Sequence, residues 1–201
     1  MNFQRENIRR MTGYASGEQP DNELTIKLNT NENPYPPSPQ VSQVLAQFKP
    51  ESLRRYPPAT AQKFRQLAAE LHGLDLENVI ATRGGDELLR LVITTFVDPG
   101  EKIGMTDPTY SLYPVLAQIQ NCPIAEVPLL DNWALPDEFA RSMNDAKVKL
   151  TFLVNPHAPT GALLPIGQVS KLASELNSIL LLDEAYIDFV DHDYQTSQLV
   201  K

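Results

Sequence analysis

Cysteine is almost absent from this chain of 201 residues, in which Cys122 stands alone. One cysteine excludes an intrachain disulfide and fits a reducing cytoplasm, so we expect a cytoplasmic protein. The chain also lacks an apolar run of about 18 residues, and therefore no transmembrane helix is predicted. Its first residues lead into no apolar segment, so the sequence gives no sign of a secretory signal. Carboxylates and histidines show no spacing typical of metal ligands, and no metal site is predicted.

Positively charged residues are fewer than negatively charged ones. The sequence has 17 Lys and Arg against 25 Asp and Glu, which gives a formal net charge of -8. Such a chain lacks the basic surface that nucleic acids and anionic membranes attract, so neither is an expected partner. Hydrophobic residues make up 42% and charged residues 21% of the chain. These values are ordinary for a globular protein, and the length suffices for one domain with a sizeable core.

Residues 1–37 are predicted to form an extended arm rather than a domain. Residues 24–28 alternate between apolar and polar in a way that predicts a short strand. Residues 29–37 are so rich in Asn and Pro that they exclude a regular element and indicate a fixed loop. Such an arm has no core of its own, so it must pack on the body of the protein or on a second subunit.

Two amphipathic helices are predicted after the arm. Ser38 is a good N-cap and Pro39 suits the first helical position, and Pro50 should end this helix. A second helix is expected from about Thr60, with Gly73 as its C′ residue. The apolar residues of both recur with helical spacing: Val41, Val44, Leu45 and Phe48 in the first, and Phe64, Leu67, Ala68 and Leu71 in the second.

From Val79 onwards the predicted strands and helices alternate. Strands are expected at 79–82, 102–106, 124–127, 150–154 and 179–182. Helices are expected after Gly85 and at 108–120, 136–143 and 165–177. Alternation of this length indicates βαβ units, so the predicted fold class is α/β, with a mainly parallel sheet and helices on both faces.

The last predicted strand ends in a polar segment that is the most informative stretch of the chain. Ile179 to Leu182 are four consecutive apolar residues, which is typical of a strand buried on both faces. Asp183, Glu184, Ala185 and Tyr186 follow it. Ligands of open α/β sheets lie beyond the carboxyl ends of the strands, and a carboxylate there needs a cation or donors. Asp183 could therefore meet a protonated ring nitrogen of a cofactor, or it could simply cap the following segment.

A glycine turn lies between a predicted strand and a helix. At Gly84, Gly85 and Asp86 the backbone N–H groups of the helix N-terminus could bind a phosphate, although a tight turn without a ligand explains the residues equally well. The pattern is neither the G-x-G-x-x-G fingerprint nor a P-loop, which disfavours a nucleotide-binding domain.

Two more stretches follow predicted strands. Tyr110 could stack on a planar ring, or it could be a half-buried packing residue. Asn155 to Gly161 form a rigid loop with two prolines and a glycine, which could hold one wall of a ligand site. His157 in this loop is not expected to be catalytic, because no motif places a Ser or Cys nucleophile beside it.

Taken together and in this order, these motifs resemble those of the fold-type I aminotransferases, which use pyridoxal 5′-phosphate (PLP). The arm from Leu28 to Tyr35 and the segment from Asp183 to Phe189 are similar to the histidinol-phosphate aminotransferases, and threonine-phosphate decarboxylases are close relatives. The resemblance covers essentially the whole chain. The stretches that carry it are Arg55-Tyr56-Pro57, Gly85-Asp86-Glu87, Pro108-Thr109-Tyr110, Asn155 to Gly161 and Asp183 to Tyr186.

The resemblance implies a role for each candidate site residue. Asp183 would pair with the protonated pyridine nitrogen of PLP, Tyr186 would bond its phenolic oxygen and Tyr110 would stack on its ring. The remaining roles concern phosphates: Gly84, Gly85 and Asp86 would bind the cofactor phosphate, Tyr56 would reach it from the other subunit of a homodimer, and Tyr14 would lie near the substrate phosphate.

The implied activity is amino-group transfer between L-histidinol phosphate, a phosphorylated amino alcohol, and 2-oxoglutarate, a 2-oxo acid. A decarboxylase similar to the threonine-phosphate enzyme, and a non-catalytic protein that kept only the fold, stay open as alternatives.

Two positions depart from the family pattern. Ala158 stands where the family usually has an Asn that bonds the cofactor's phenolic oxygen. The Schiff-base lysine of the family lies in a Ser-Lys segment that has no counterpart up to Lys201. We do not interpret Lys201 itself as that lysine. We therefore expect residues 38–201 to be an incomplete PLP-binding large domain without the small C-terminal domain. We also expect exposed apolar surface, and no transaminase activity from residues 1–201 alone.

Overall fold

A parallel sheet of four strands forms the centre of the computed structural model, which describes residues 3–14, 17–22, 24–190 and 194–200. The strands are β1 (Lys102–Asp107), β2 (Ile124–Pro128), β3 (Val148–Val154) and β4 (Ile179–Asp183). Their order across the sheet is β2-β1-β3-β4, and each neighbouring pair is parallel. The predicted α/β class with a parallel sheet is confirmed.

Seven α-helices surround or precede this sheet in the described residues. They are α1 (Glu6–Arg10), α2 (Pro39–Gln47), α3 (Gln62–His72), α4 (Gly85–Phe96), α5 (Leu112–Gln120), α6 (Phe139–Asp145) and α7 (Ile166–Glu175). Short 3-10 helices lie at Pro50–Arg54, Leu76–Asn78, Ile187–Phe189 and Ser197–Val200.

Two hydrophobic cores lie on opposite faces of the sheet. Side chains of α4 and α5 pack on one face, where Ile93, Tyr113 and Phe152 are fully buried. Side chains of α6 and α7 pack on the other, around Phe139 and Leu153. Successive residues of a strand point to opposite faces, which is why the buried run in β3 can supply both cores. The expectation of helices on both faces is therefore confirmed.

Two of the predicted strands do not form. At residues 24–28 the side-chain carbonyl of Asn22 accepts hydrogen bonds from the backbone N–H groups of Leu24 and Thr25, at 3.1 and 3.0 Å. This local turn competes with a strand, and the apolar side chains of the segment stay exposed. At residues 79–82 the carbonyl of Val79 accepts a hydrogen bond from the Arg65 side chain instead of from a neighbouring strand.

The strand β4 also differs from its prediction. It was expected to be buried on both faces, but its residues are half-buried or exposed, starting with Ile179. The reason is its position, because β4 is the edge strand of the sheet in the part of the chain that the structure describes.

The predicted amphipathic helices form, but their apolar faces are not covered. Ser38 caps α2 by accepting a hydrogen bond from the N–H of Gln40, and Gly73 ends α3 in the left-handed conformation. Val44 and Leu45 are nevertheless 67% exposed, and Phe64 is 62% exposed. Large apolar side chains of these two helices therefore stay exposed.

The beginning of the arm packs on the body of the protein. The Arg5 guanidinium donates a hydrogen bond of 2.7 Å to the carbonyl of Ile119, and the Asn7 amide donates one of 2.8 Å to the carbonyl of Gln118. Both acceptors lie in the last turn of α5, where the carbonyl of Gln118 also accepts a hydrogen bond from the N–H of the C-cap Asn121. The arm thus adds hydrogen bonds to a helix end of the body.

Candidate active site

Three of the predicted site residues and one predicted loop come from strand ends on the same side of the sheet. All four strands are parallel, so the segments that follow β1, β3 and β4 leave the sheet on the same side. They carry Tyr110, the loop from Asn155 to Gly161, and the pair Asp183 and Tyr186. The fold therefore brings together residues that lie up to 76 positions apart in the sequence, from Tyr110 to Tyr186.

Asp183 is the last residue of β4, and both of its carboxylate oxygens accept hydrogen bonds. The hydroxyl of Tyr113 donates to Oδ2 at 2.7 Å, and the backbone N–H of Ala185 donates to Oδ1 at 3.1 Å. Asp183 as a residue is half-buried. Two donors thus fix the direction of its carboxylate, which suits a carboxylate that meets a cationic group of a ligand.

Tyr110 lies between the glycine turn and the strand ends. Its hydroxyl is 3.5 Å from Oδ1 of Asp86, and its ring meets that of Tyr113 edge to face with centroids 5.5 Å apart. Burial raises the pKa of Tyr110, and the nearby Asp86 and Tyr14 raise it further. The hydroxyl therefore stays protonated at neutral pH, and Tyr14 of the arm is placed beside this ring.

The glycine turn opens α4 toward free space. Gly84 has φ 94, in the left-handed region that favours glycine, and a Cβ at Gly84 or Gly85 would meet no atom within 4 Å. The turn is braced by two hydrogen bonds, one from the N–H of Arg83 to the Glu87 carboxylate and one from the Thr82 hydroxyl to the carbonyl of Gly84. The first N–H groups of the helix have no intrahelical acceptor and can face an anion.

The loop after β3 is held in place by a buried histidine. Nδ1 of His157 lies 2.8 Å from the Thr160 hydroxyl, and Nε2 lies 3.1 Å from the carbonyl of Pro108. Burial lowers the pKa of His157, so the ring is neutral at neutral pH. A neutral ring that donates from Nε2 and accepts at Nδ1 satisfies both contacts. The peptide bonds Asn155–Pro156 and Ala158–Pro159, on either side of this histidine, are cis.

A cavity of about 310 Å³ separates this loop from the arm. Asn31 to Pro34 form one wall, and Ala158 and Tyr186 lie among the residues opposite. The amide Nδ2 of Asn31 donates a hydrogen bond of 3.0 Å to the Tyr186 hydroxyl. Tyr186 and Ala158, two positions expected at the same oxygen of a cofactor, therefore line one cavity.

Tyr56 is the predicted site residue that the fold leaves apart from the others. It is fully exposed after the 3-10 helix Pro50–Arg54. Its expected role involves a second subunit and stays a prediction. Lys201 lies outside the described residues.

Two residues of this region are not among the predicted site residues: Tyr113, which donates to Asp183, and Asn31, which donates to Tyr186. Asn155, the first residue of the predicted loop, is fully buried with its amide 2.6 Å from the Tyr194 hydroxyl. Asn155 also accepts a hydrogen bond from the N–H of Leu164. A polar residue directly after a continuous buried strand was an available signal for Asn155.

Among the residues that the structure describes, no three His, Cys, Asp or Glu side chains come close enough to hold a metal ion. None of the described helices has both the length and the apolar composition to cross a membrane.

Comparison with known proteins gives consistent matches. Residues 24–200 match the family model described as aminotransferase class I and II. A histidinol-phosphate aminotransferase of Trichormus variabilis is 40% identical over 191 residues, covering 94% of this chain and 54% of that protein. The corresponding enzyme of Syntrophotalea carbinolica is 42% identical over 190 residues, again covering 94% and 54%. The chain thus spans about half the length of the curated relatives it matches.

A solved structure supports the same fold. The histidinol-phosphate aminotransferase of Sinorhizobium meliloti, in complex with pyridoxal 5′-phosphate, superposes with a TM-score of 0.77 at 23% identity. The match covers 83% of this chain and 46% of that protein. At this sequence identity, the structural similarity supports the fold assignment alone.

Proposed function

The chain belongs to the class I and II aminotransferase family, and we propose that it binds pyridoxal 5′-phosphate at the strand ends, as part of an enzyme that transfers amino groups. The observation that carries the proposal is the Asp183 carboxylate at the end of β4. It is held by two donors, half-buried, and on the same edge of the sheet as Tyr110 and Tyr186.

The residues of the site fit the cofactor. Asp183 would hold the protonated ring nitrogen and Tyr186 the phenolic oxygen, while Tyr110 would cover the ring. The backbone at Gly84, Gly85 and Asp86 would hold the phosphate, because this turn faces open space at a helix N-terminus. When bound, PLP supplies an electron sink for the carbon that carries the amino group. Ala158 offers no side-chain donor, so Tyr186 carries the contact to the phenolic oxygen.

The proposed substrates are L-histidinol phosphate and 2-oxoglutarate. The support for the amine is the identity of about 40% to histidinol-phosphate aminotransferases. Tyr14, placed beside Tyr110 by the arm, would then lie near the phosphate of the substrate. A cytoplasmic location and a homodimer are part of the same proposal. In the dimer, the exposed Tyr56 would reach the cofactor phosphate of the partner subunit. Residues 1–37 would be the arm and residues 38–201 part of the large domain.

The test of cofactor binding is a PLP titration of the purified chain, followed by absorbance and by tyrosine fluorescence. We expect Asp183→Asn to weaken binding by about tenfold or more, because a hydrogen bond to a charged group is lost. Asp188→Asn is the matched control, since Asp188 is an exposed carboxylate five residues further along. Equal affinity of the Asp183→Asn variant and the parent would contradict the proposal.

The substrate is tested separately on a protein extended to the length of the curated relatives. Such a protein should form glutamate from 2-oxoglutarate when L-histidinol phosphate is the donor. Release of carbon dioxide from threonine phosphate would instead favour the decarboxylase alternative. PLP binding with neither reaction would favour the non-catalytic one.

A further inference from the structure

Tyr113 is a fully buried tyrosine whose hydroxyl reaches the candidate site. Its side chain belongs to the core between α5 and the sheet, yet the hydroxyl donates a hydrogen bond of 2.7 Å to Oδ2 of Asp183, 70 residues further along the chain. Burial raises the pKa of Tyr113, and the neighbouring Asp183 carboxylate raises it further. The hydroxyl therefore remains a proton donor at any pH at which the enzyme would work.

The ring of Tyr113 is held by aromatic neighbours on two sides. It stacks on Phe152 of β3, with centroids 4.5 Å apart and an angle of 13° between the planes. Its second aromatic contact is the edge-to-face pair with Tyr110, with centroids 5.5 Å apart and an angle of 89° between the planes. Such contacts, together with complete burial, leave the ring one position. The position of the hydroxyl is thus set by β3 and α5, and not by the loop that carries Asp183.

Asp183 by contrast stands where regular structure ends. Its backbone carbonyl accepts the last sheet-like hydrogen bond, at 2.8 Å from the N–H of Asn155, and the 3-10 helix Ile187–Phe189 begins four residues later. One carboxylate oxygen is held from its own loop by the N–H of Ala185. The other oxygen is held from the core by Tyr113, so that two independent parts of the fold determine the direction of the carboxylate.

We propose that Tyr113 is a positioning residue, whose hydroxyl holds the Asp183 carboxylate in the orientation in which it meets the protonated ring nitrogen of the cofactor. This inference rests on the proposed function. Tyr113 does not touch the reacting group, and acts through Asp183, as the outer partners of metal ligands act through the ligands. The ring of Tyr113 also contacts Tyr110. One core residue would therefore align both the Asp183 carboxylate, which faces the nitrogen of the cofactor, and Tyr110, which covers the cofactor ring.

The test uses Tyr113→Phe, which keeps the ring and its stacking and removes only the hydroxyl. We expect the dissociation constant of PLP to rise about tenfold, since one hydrogen bond to a charged group is lost. A PLP analogue with carbon in place of the ring nitrogen should lose no affinity, because it has no cation for Asp183 to meet. A purely structural effect of the substitution would weaken both ligands alike. Tyr35→Phe, at an exposed tyrosine, is the matched control.

A double variant separates the inference from the proposed function. In the Asp183→Asn background, Tyr113→Phe should change PLP affinity by less than about twofold, because both substitutions break the same interaction. An undiminished effect there, or parent-like affinity of Tyr113→Phe alone, would overturn the role of Tyr113 while leaving PLP binding intact. If the parent chain bound no PLP, the proposed function would fail and this inference with it.

A second measurement needs neither PLP nor folding of the Tyr113→Phe variant. With tyrosine labelled at the ring carbon that bears the hydroxyl, the NMR signal of Tyr113 should shift in Asp183→Asn, because its acceptor loses its charge. The signal should stay in place in the Asp188→Asn control. An unmoved Tyr113 signal in Asp183→Asn would show that the contact does not exist, and would overturn the proposal.

Discussion

The side-chain amide of Asn31 donates a hydrogen bond of 3.0 Å to the hydroxyl of Tyr186, and this contact ties the arm to the segment that follows β4. Asn31 has φ 52, a left-handed conformation that Asn tolerates better than most residues. Both residues line the cavity of about 310 Å³ beside Ala158. The arm therefore covers the candidate site through a polar side chain that is itself exposed.

Removing this amide should loosen the arm. Asn31→Gly keeps the left-handed backbone and deletes the donor, so we expect backbone amides of residues 24–33 to exchange hydrogen about two- to tenfold faster, the range of one exposed hydrogen bond. Hydrogen exchange followed by mass spectrometry measures this. Tyr186→Phe should give the same result from the other side. Unchanged exchange in both variants would mean that other contacts hold the arm.

Most of the sheet and the helices packed on it could be predicted, because their sequence signals are local. The strands β1 to β4 and the helices α4 to α7 follow from apolar runs and helical spacing, and their bounds shift by only a few residues. Residues 24–28 carry an equally good alternating pattern. There the deciding factor is the side chain of Asn22, which binds the backbone that a strand would need.

The site was predictable only in part, for a related reason. Asp183 is the last residue of β4 and Tyr110 lies three residues after β1, and the topology of a parallel sheet is enough to bring them together. Tyr113 lies three residues after Tyr110, at the spacing of an ordinary core residue. Its contact with Asp183 spans 70 residues and depends on how α5 lies against β3, which no local pattern contains.

Acidification should weaken the fold through His157. Burial lowers the pKa of this histidine, so below about pH 6.5, the ordinary value, the unfolded chain binds a proton before the folded one does. The stability that the neutral ring contributes is therefore fully present above that pH and is lost as the pH falls from there through the lower pKa of the folded state. Urea unfolding at about pH 7.5 and pH 5.5 should show the decrease, and His157→Gln should make the difference smaller. The exposed His72 is the control, since His72→Gln should leave the stability difference between the two pH values unchanged. An equal loss of stability on acidification in the parent and in His157→Gln would refute this prediction.

Gly104 in β1 should not tolerate a methyl group. A Cβ there would lie 2.3 Å from Sδ of Met143 and 3.0 Å from Cγ1 of Val148, and both residues are buried. We expect Gly104→Ala to lower the free energy of unfolding by about 1–3 kcal/mol, the usual cost of overpacking a core. Gly167→Ala in α7 is the matched control, because its Cβ would meet no atom within 4 Å and alanine favours a helix. Equal stability of the two variants would contradict the predicted crowding.

The chain of residues 1–201 should show no transaminase turnover, because no described lysine is placed to act on a cofactor at the strand ends. Transamination needs an amine that holds PLP and moves a proton at the reacting carbon. Lys27 is paired with Glu32, Lys149 with Glu101 and Lys171 with Glu175. The other four described lysines are exposed, namely Lys49, Lys63, Lys102 and Lys147. None of the seven described lysines lines the cavity beside Tyr186.

The measurement is glutamate formation from L-histidinol phosphate and 2-oxoglutarate, with PLP in excess. We expect none from this chain, and activity once the C-terminal part of a curated relative, which carries the family's lysine, is appended. The matched control appends the same part with that lysine changed to alanine, which should give a protein of equal length without turnover. Turnover by residues 1–201 that disappears when one of their own lysines is changed to arginine would show that the chain supplies the catalytic amine itself.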